Sequence, residues 1–205
     1  TLLSKTGLIC GQLVLPTPRS SKLYKEWLKG EETHYFADGF GVAAETFATI
    51  AEELQFGLGG ISIDAACASS LYAVSLCVDA LIEGRADLMI AGGMAMPDPL
   101  FTQMGFNQLG ALSKSGNSRP FDSAADGLLV GQGAGLFALK RLEDAIRDQD
   151  NVMATVLGCG LSSDLNGSLL APSSEGQVRA MEAAYKKAPD LIGSRSIDYF
   201  ECHAT

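Results

Sequence analysis

The block Gly59–Met96 constrains the fold most. Ile61-Ser62-Ile63 is a short β-branched apolar run bounded by Gly59-Gly60 and Asp64, which reads as a buried strand ending at a helix cap. Residues 65–83 then contain neither Gly nor Pro, and Leu71, Val74, Val78 and Leu81 recur at the spacing of an apolar helical face. Gly84 stops that helix, and Asp87–Ala91 is a second apolar run closed by Gly92-Gly93. Strand, long helix and strand make a parallel-sheet unit, because parallel neighbours need a crossover of about this length.

The alternation continues downstream. Leu100–Gln108 is expected to be a short helix after Pro97 and Pro99, and residues 113–120 a loop. Ala134–Lys140 reads as a buried strand, Leu142–Asp148 as an amphipathic helix, and Val152–Leu161 as a strand in which Gly158 and Gly160 mark a bulge or close backbone approach. After a loop at 162–174, Glu175–Lys187 has helical periodicity (Val178, Met181, Ala184, Tyr185), and Ile197–Cys202 reads as a terminal strand. Such alternation predicts an α/β architecture with a mainly parallel sheet. Thr1–Leu58 carries the weakest signal. The chain opens without Met and stops just after a strand-like run, which reads as a fragment.

Composition removes several function classes. Of 205 residues 47% are hydrophobic and 19% charged, enough for a packed core and too apolar for disorder. Fifteen Lys and Arg against 24 Asp and Glu give a net charge of −9, so nucleic acid and anionic lipid are not expected partners. No apolar run reaches the roughly 18 residues of a membrane span, and no secretory signal opens the chain, so a cytoplasmic location is expected. Five widely spaced cysteines without a C-x-x-C pair argue against a disulfide framework or a zinc site, and reduced thiols and no metal are expected.

One cysteine stands apart. Cys67 falls three residues after Asp64, at the expected strand-to-helix junction, among the small residues Ala65, Ala66, Ala68, Ser69 and Ser70. The first turn of a helix has N–H groups without intrahelical acceptors and partial positive charge, which favour a thiolate and can bind an oxyanion formed by its attack on a carbonyl. The competing reading is one more small buried residue. Cys10, Cys77 and Cys159 take that reading, and alternation along a strand turns Cys202 away from His203. His203 ends the last expected strand, where open α/β sheets bind ligands, although a structural role is the commoner fate of a lone His. His34, in a polar context, is expected on the surface.

The run Asp64-Ala65-Ala66-Cys67-Ala68-Ser69-Ser70-Leu71 resembles the nucleophile motif of β-ketoacyl synthases, the condensing enzymes of fatty acid and polyketide assembly. Arg119-Pro120-Phe121-Asp122, Asp126-Gly127 and Gly131-Gln132-Gly133-Ala134-Gly135 are similar to that family's R-P-F-D…D-G…G-E-G-A-G stretch. Glu201-Cys202-His203-Ala204-Thr205 resembles the start of its E-A-H-G-T-G-T motif. The segment Asp98-Pro99-Leu100-Phe101 through Met104-Gly105-Phe106, with Tyr72, is closest in look to ketosynthase domains of polyunsaturated fatty acid and polyketide synthases.

The resemblance implies a thiolase-like α-β-α-β-α sandwich, of which residues 1–205 would be a partial synthase domain running to the first catalytic histidine. It implies that Cys67 accepts the acyl group, that His203 stabilises the enolate of a malonyl thioester, that Phe106 lies near the acyl pocket, and that Ser173 and Ser174 contact the pantetheine arm. No cofactor beyond the carrier's phosphopantetheine is implied; the partners would be an acyl carrier protein and either a second copy or a chain-length factor. In the family a second histidine, a lysine and a glycine-rich loop lie beyond the position of Thr205, so the isolated fragment is expected to be inactive. Gln132 replaces the usual Glu. A silent chain-length-factor-like partner would lack the cysteine, and a thiolase would lack the R-P-F-D segment. Arg19, Lys22, Lys25 and Lys29, and Lys186, Lys187 and Arg195, are candidate docking clusters for an acidic carrier, against the commoner reading of a solvated surface.

Overall fold

The computed structural model describes residues 2–13, 18–31, 45–96, 99–167, 173–188 and 197–203. The chain divides into two compact units, Thr1–Arg141 and Leu142–Thr205. In the first, a 3-10 turn at Leu2–Lys5 leads into β1 (Thr6–Gln12), α1 (Pro18–Leu28), α2 (Thr46–Glu53), β2 (Gly60–Ile63), α3 (Ser69–Ile82), β3 (Leu88–Ala95), α4 (Pro99–Gln108) and β4 (Gly133–Leu139). The strands form one sheet in the order β2-β1-β3-β4. Both β2 and β3 pair parallel with β1, and β4 is antiparallel to β3. The crossover through α3 thus carries the chain from one side of β1 to the other.

Alternation along β1 sends its side chains to two cores. Leu8 and Cys10 pack with Phe47 and Ala51 of α2, whereas Ile9 joins the cluster of Cys77, Ala80, Leu81, Met89 and Ala91 under α3. The sheet therefore has a helix on each face. At the far end of α3, Arg141 donates to the carbonyls of Leu81 and Ala86 at 3.0 and 2.7 Å and to Asp87 Oδ1 at 2.6 Å, tying the exit of β4 to the turn between α3 and β3.

The second unit holds α5 (Leu142–Arg147) and α6 (Ser174–Lys186). Here α6 lies directly on extended backbone: a Cβ added at Gly160 would sit 1.8 Å from the Ala180 carbonyl oxygen, and one at Gly158 would sit 2.4 Å from that of Ala184. The close approach expected at these glycines is present.

Several expectations need correction. The segment with the weakest sequence signal contains β1, the central strand. β3 runs through Gly92-Gly93 to Ala95 instead of stopping before them; the glycines admit close neighbours, since a Cβ at Gly92 would lie 2.0 Å from the Gly135 carbonyl oxygen. α3 turns the small residues Ala73, Cys77 and Ala80 to the sheet and leaves Leu71 66% exposed, because a helix this close to the strands has no room for leucine. β4 forms as expected but is an edge strand, with Leu136 and Phe137 50% and 64% exposed. Val152–Leu161 and Ile197–Cys202 adopt no strand. A β run counts as a strand only when a neighbour takes its N–H and C=O groups, and no described residue pairs with either. His34, Pro97, Asp98, Arg195, Ala204 and Thr205 lie outside the described residues.

Candidate active site

Cys67 lies in the turn between β2 and α3, at the carboxyl end of a parallel strand. The helix begins later than the sequence suggests: its N-cap is Ala68, which supplies no side-chain cap, so Cys67 precedes the first turn. Asp64 caps the turn instead of the helix, its Oδ1 accepting the Ala66 N–H at 2.9 Å. Across the turn, Ser69 Oγ accepts the Ala65 N–H at 2.9 Å and donates to the Ala66 carbonyl at 2.6 Å. Between these grips Ala66 has φ +52°, the left-handed region that residues with a Cβ seldom occupy. The reversal leaves Cys67 exposed, whereas Cys10 and Cys77 are buried. Burial pushes the Cys10 thiol up to about 11 and that of Cys77 up to about 12, which withholds both from thiolate chemistry near neutrality.

The turn rests on glycines that sequence reading passed over as strand punctuation. Gly11 and Gly93 are register partners on β1 and β3. A Cβ at Gly11 would lie 2.4 Å from the Ser69 carbonyl carbon, and one at Gly93 would lie 2.9 Å from Ser70 Cβ. Together they form a hollow in the sheet that seats the first turn of α3. Glycines at matching heights of two apolar runs were the available signal, but the match exists only once the register is known.

Phe106 is half-buried on α4 in the same unit. The Asp126-Gly127 pair is structural: Asp126 accepts from Ser113 Oγ at 2.6 Å and from the Ser115 N–H at 2.7 Å, and these bonds hold its carboxyl down at about 2. A Cβ at Gly127, with φ +141°, would meet the Ser113 nitrogen at 2.5 Å.

Ser173, Ser174 and His203 belong to the second unit, so the expected site residues divide between the two. Ser173 is the N-cap of α6, with its N–H donated to Asp164 Oδ2 at 2.6 Å, and Ser174 opens the helix. Ser162 Oγ donates to the Gly176 carbonyl at 2.5 Å, closing the base of the preceding loop. His203 is exposed. In the same segment Tyr199 donates to Glu201 Oε2 at 2.5 Å, and this bond to a carboxylate raises the phenol above its ordinary range. Of the docking clusters, Lys22, Lys25, Lys29, Lys186 and Lys187 are exposed, and the Arg19 side chain lies outside the described residues. Lys22 approaches Glu26 at 3.8 Å. Among the described residues, no group of three or more His, Cys, Asp or Glu could hold a metal ion. No described helix is long and apolar enough to cross a membrane.

An exposed sulfur on a strained turn between a parallel strand and a helix is a nucleophile's geometry, and comparison with known proteins supplies the chemistry. The pattern of the β-ketoacyl synthase N-terminal domain matches residues 10–145, and that of the C-terminal domain matches residues 153–205. The chain belongs to the β-ketoacyl synthase family. This ketosynthase chain is 38% identical over 159 residues, 76% of its length, to a polyunsaturated fatty acid synthase of Thraustochytrium sp.. It is 36% identical over 173 residues, 82% of its length, to a phenolphthiocerol/phthiocerol polyketide synthase of Mycobacterium tuberculosis. The chain spans only 8% and 9% of these two relatives. Among solved structures, the PfaC keto synthase-chain length factor superposes with a TM-score of 0.85 at 37% identity, covering all of this chain and 24% of that one. The ishigamide ketosynthase/chain length factor follows at 0.75 and 28%, covering 90% and 46%. The fold is thus the thiolase-like one of ketosynthases.

Proposed function

We propose that this chain carries the acyl-accepting half of a β-ketoacyl-carrier-protein synthase, with Cys67 as its nucleophile. The observation that carries this reading is the turn at 64–69, which holds one sulfur outside the fold ahead of α3. The Cys67 thiolate attacks the carbonyl of an acyl thioester on a carrier protein; the sulfur–acyl bond forms and the carrier's thiolate leaves and takes up a proton. A malonyl thioester then loses CO₂, and the electron pair of the broken C–C bond becomes an enolate. Its carbon attacks the acyl-Cys carbonyl, the C–S bond breaks, and Cys67 is regenerated with the chain two carbons longer. His203 donates a hydrogen bond to the enolate oxygen, a contact of a kind worth about 3–4 kcal/mol to the barrier. Phe106 borders the acyl chain, and Ser173 and Ser174 meet the pantetheine arm. The positive end of the α3 dipole faces the charge that develops at sulfur and oxyanion.

The synthase pairs with a second copy or with a chain-length-factor-like partner. The two keto synthase-chain length factor neighbours support such a pair. A silent partner role is the alternative for this chain itself, and the exposed Cys67 favours the catalytic role. Treating the full-length protein with a cerulenin-type inhibitor and locating the adduct by peptide mass spectrometry decides between them. Modification at Cys67 with loss of condensation is expected; an unmodified Cys67 under conditions that abolish activity overturns the assignment.

A further inference from the structure

We infer that Ser69 is a positioning residue, whose hydroxyl holds Ala66 left-handed and so keeps the Cys67 sulfur presented; this rests on the reading of Cys67 as the nucleophile. Ser69 is 5% exposed, directly above Gly11, where a methyl side chain would fill the space as well as a hydroxymethyl. Packing therefore does not explain the oxygen, and its two hydrogen bonds do. One takes the Ala65 N–H and the other reaches the Ala66 carbonyl, which also accepts the Ser69 N–H at 3.2 Å. With Asp64 holding the Ala66 N–H, both peptide groups of Ala66 are fixed, and the residue cannot relax to a right-handed or extended conformation. Relaxation would carry the next side chain, Cys67, to a new direction.

The test is made on the full-length protein, with iodoacetamide as the probe of sulfur presentation and acylation by a carrier-bound acyl thioester as the probe of function. Ser69→Ala is expected to slow alkylation of Cys67 about tenfold, the effect of losing one to two hydrogen bonds, while exposed Cys202 reacts as before. Glycine enters the left-handed region without the Cβ penalty, so Ala66→Gly combined with Ser69→Ala is expected to return the rate to within about threefold of the parent. A purely structural role would not give that rescue. A parental rate in Ser69→Ala, or a full tenfold loss that persists in the Ala66→Gly background, overturns the inference; the second comparison stands even if Ser69→Ala alone fails to fold. Acylation separates the two readings: alkylation changes with Cys67 never acylated would refute the nucleophile and leave Ser69 as the residue that sets the turn.

Discussion

Gly11→Ala tests whether the sheet beneath the nucleophile must be hollow. Gly11 sits in the central strand, paired with Ile63 on one side and Gly93 on the other, and an added Cβ would come within 2.4 Å of the Ser69 carbonyl carbon and 2.5 Å of the Ser70 nitrogen. Ordinary contact begins at 3.4 Å, so the first turn of α3 must rise by about 1 Å, because β1 is held by neighbours on both edges and cannot recede. Overpacking of this kind costs about 1–3 kcal/mol of stability. The larger effect falls on chemistry, since displacing a reacting group by about 1 Å can cost on the order of a hundredfold in rate. Urea unfolding and condensation kinetics of the full-length protein read the two effects. Gly105→Ala on α4, with open space around its Cβ, is the control and is expected to leave stability equal or raised by up to about 1 kcal/mol. A Gly11→Ala protein with parental turnover and midpoint would show that α3 does not depend on this seat.

Other expectations follow from the same geometry. Brief iodoacetamide treatment of the native protein should label Cys67 and Cys202 and spare Cys10 and Cys77, whose burial keeps both thiols protonated; early modification of Cys77 would contradict the core assignment. Asp126 titrates lower folded than unfolded, so what it contributes is present above the unfolded carboxylate value near 4 and is lost as pH falls through about 2. The Ser115 amide should accordingly stay protected from exchange at pH 3 and lose that protection below pH 2, as NMR or mass-detected exchange would show. Arg141→Ala should lower stability by about 1–3 kcal/mol in urea melts, because the Leu81 and Ala86 carbonyls lose a charged donor, and an unchanged midpoint would refute the clasp.

Much of the fold is legible because helix period and apolar runs are local properties. The sequence alone places α3 to α6 and β2 to β4 to within a few residues, and it singles out Cys67 at a strand-to-helix junction among small neighbours. Three matters were decided only by tertiary structure. β1 becomes the central strand because its edges are paired by segments far along the chain, and a short run holding Thr, Gly and Gln gives no periodic signal of that. Val152–Leu161 has the composition of a strand yet takes the form of extended backbone, since hydrogen-bond pairing belongs to two segments and not to one. At the site, Ala66 is driven left-handed by Asp64 and Ser69 on a floor made by Gly11 and Gly93. Residue identities fix which atoms are available, but the direction of the sulfur depends on backbone angles and strand register, which are set by contacts between residues distant in sequence.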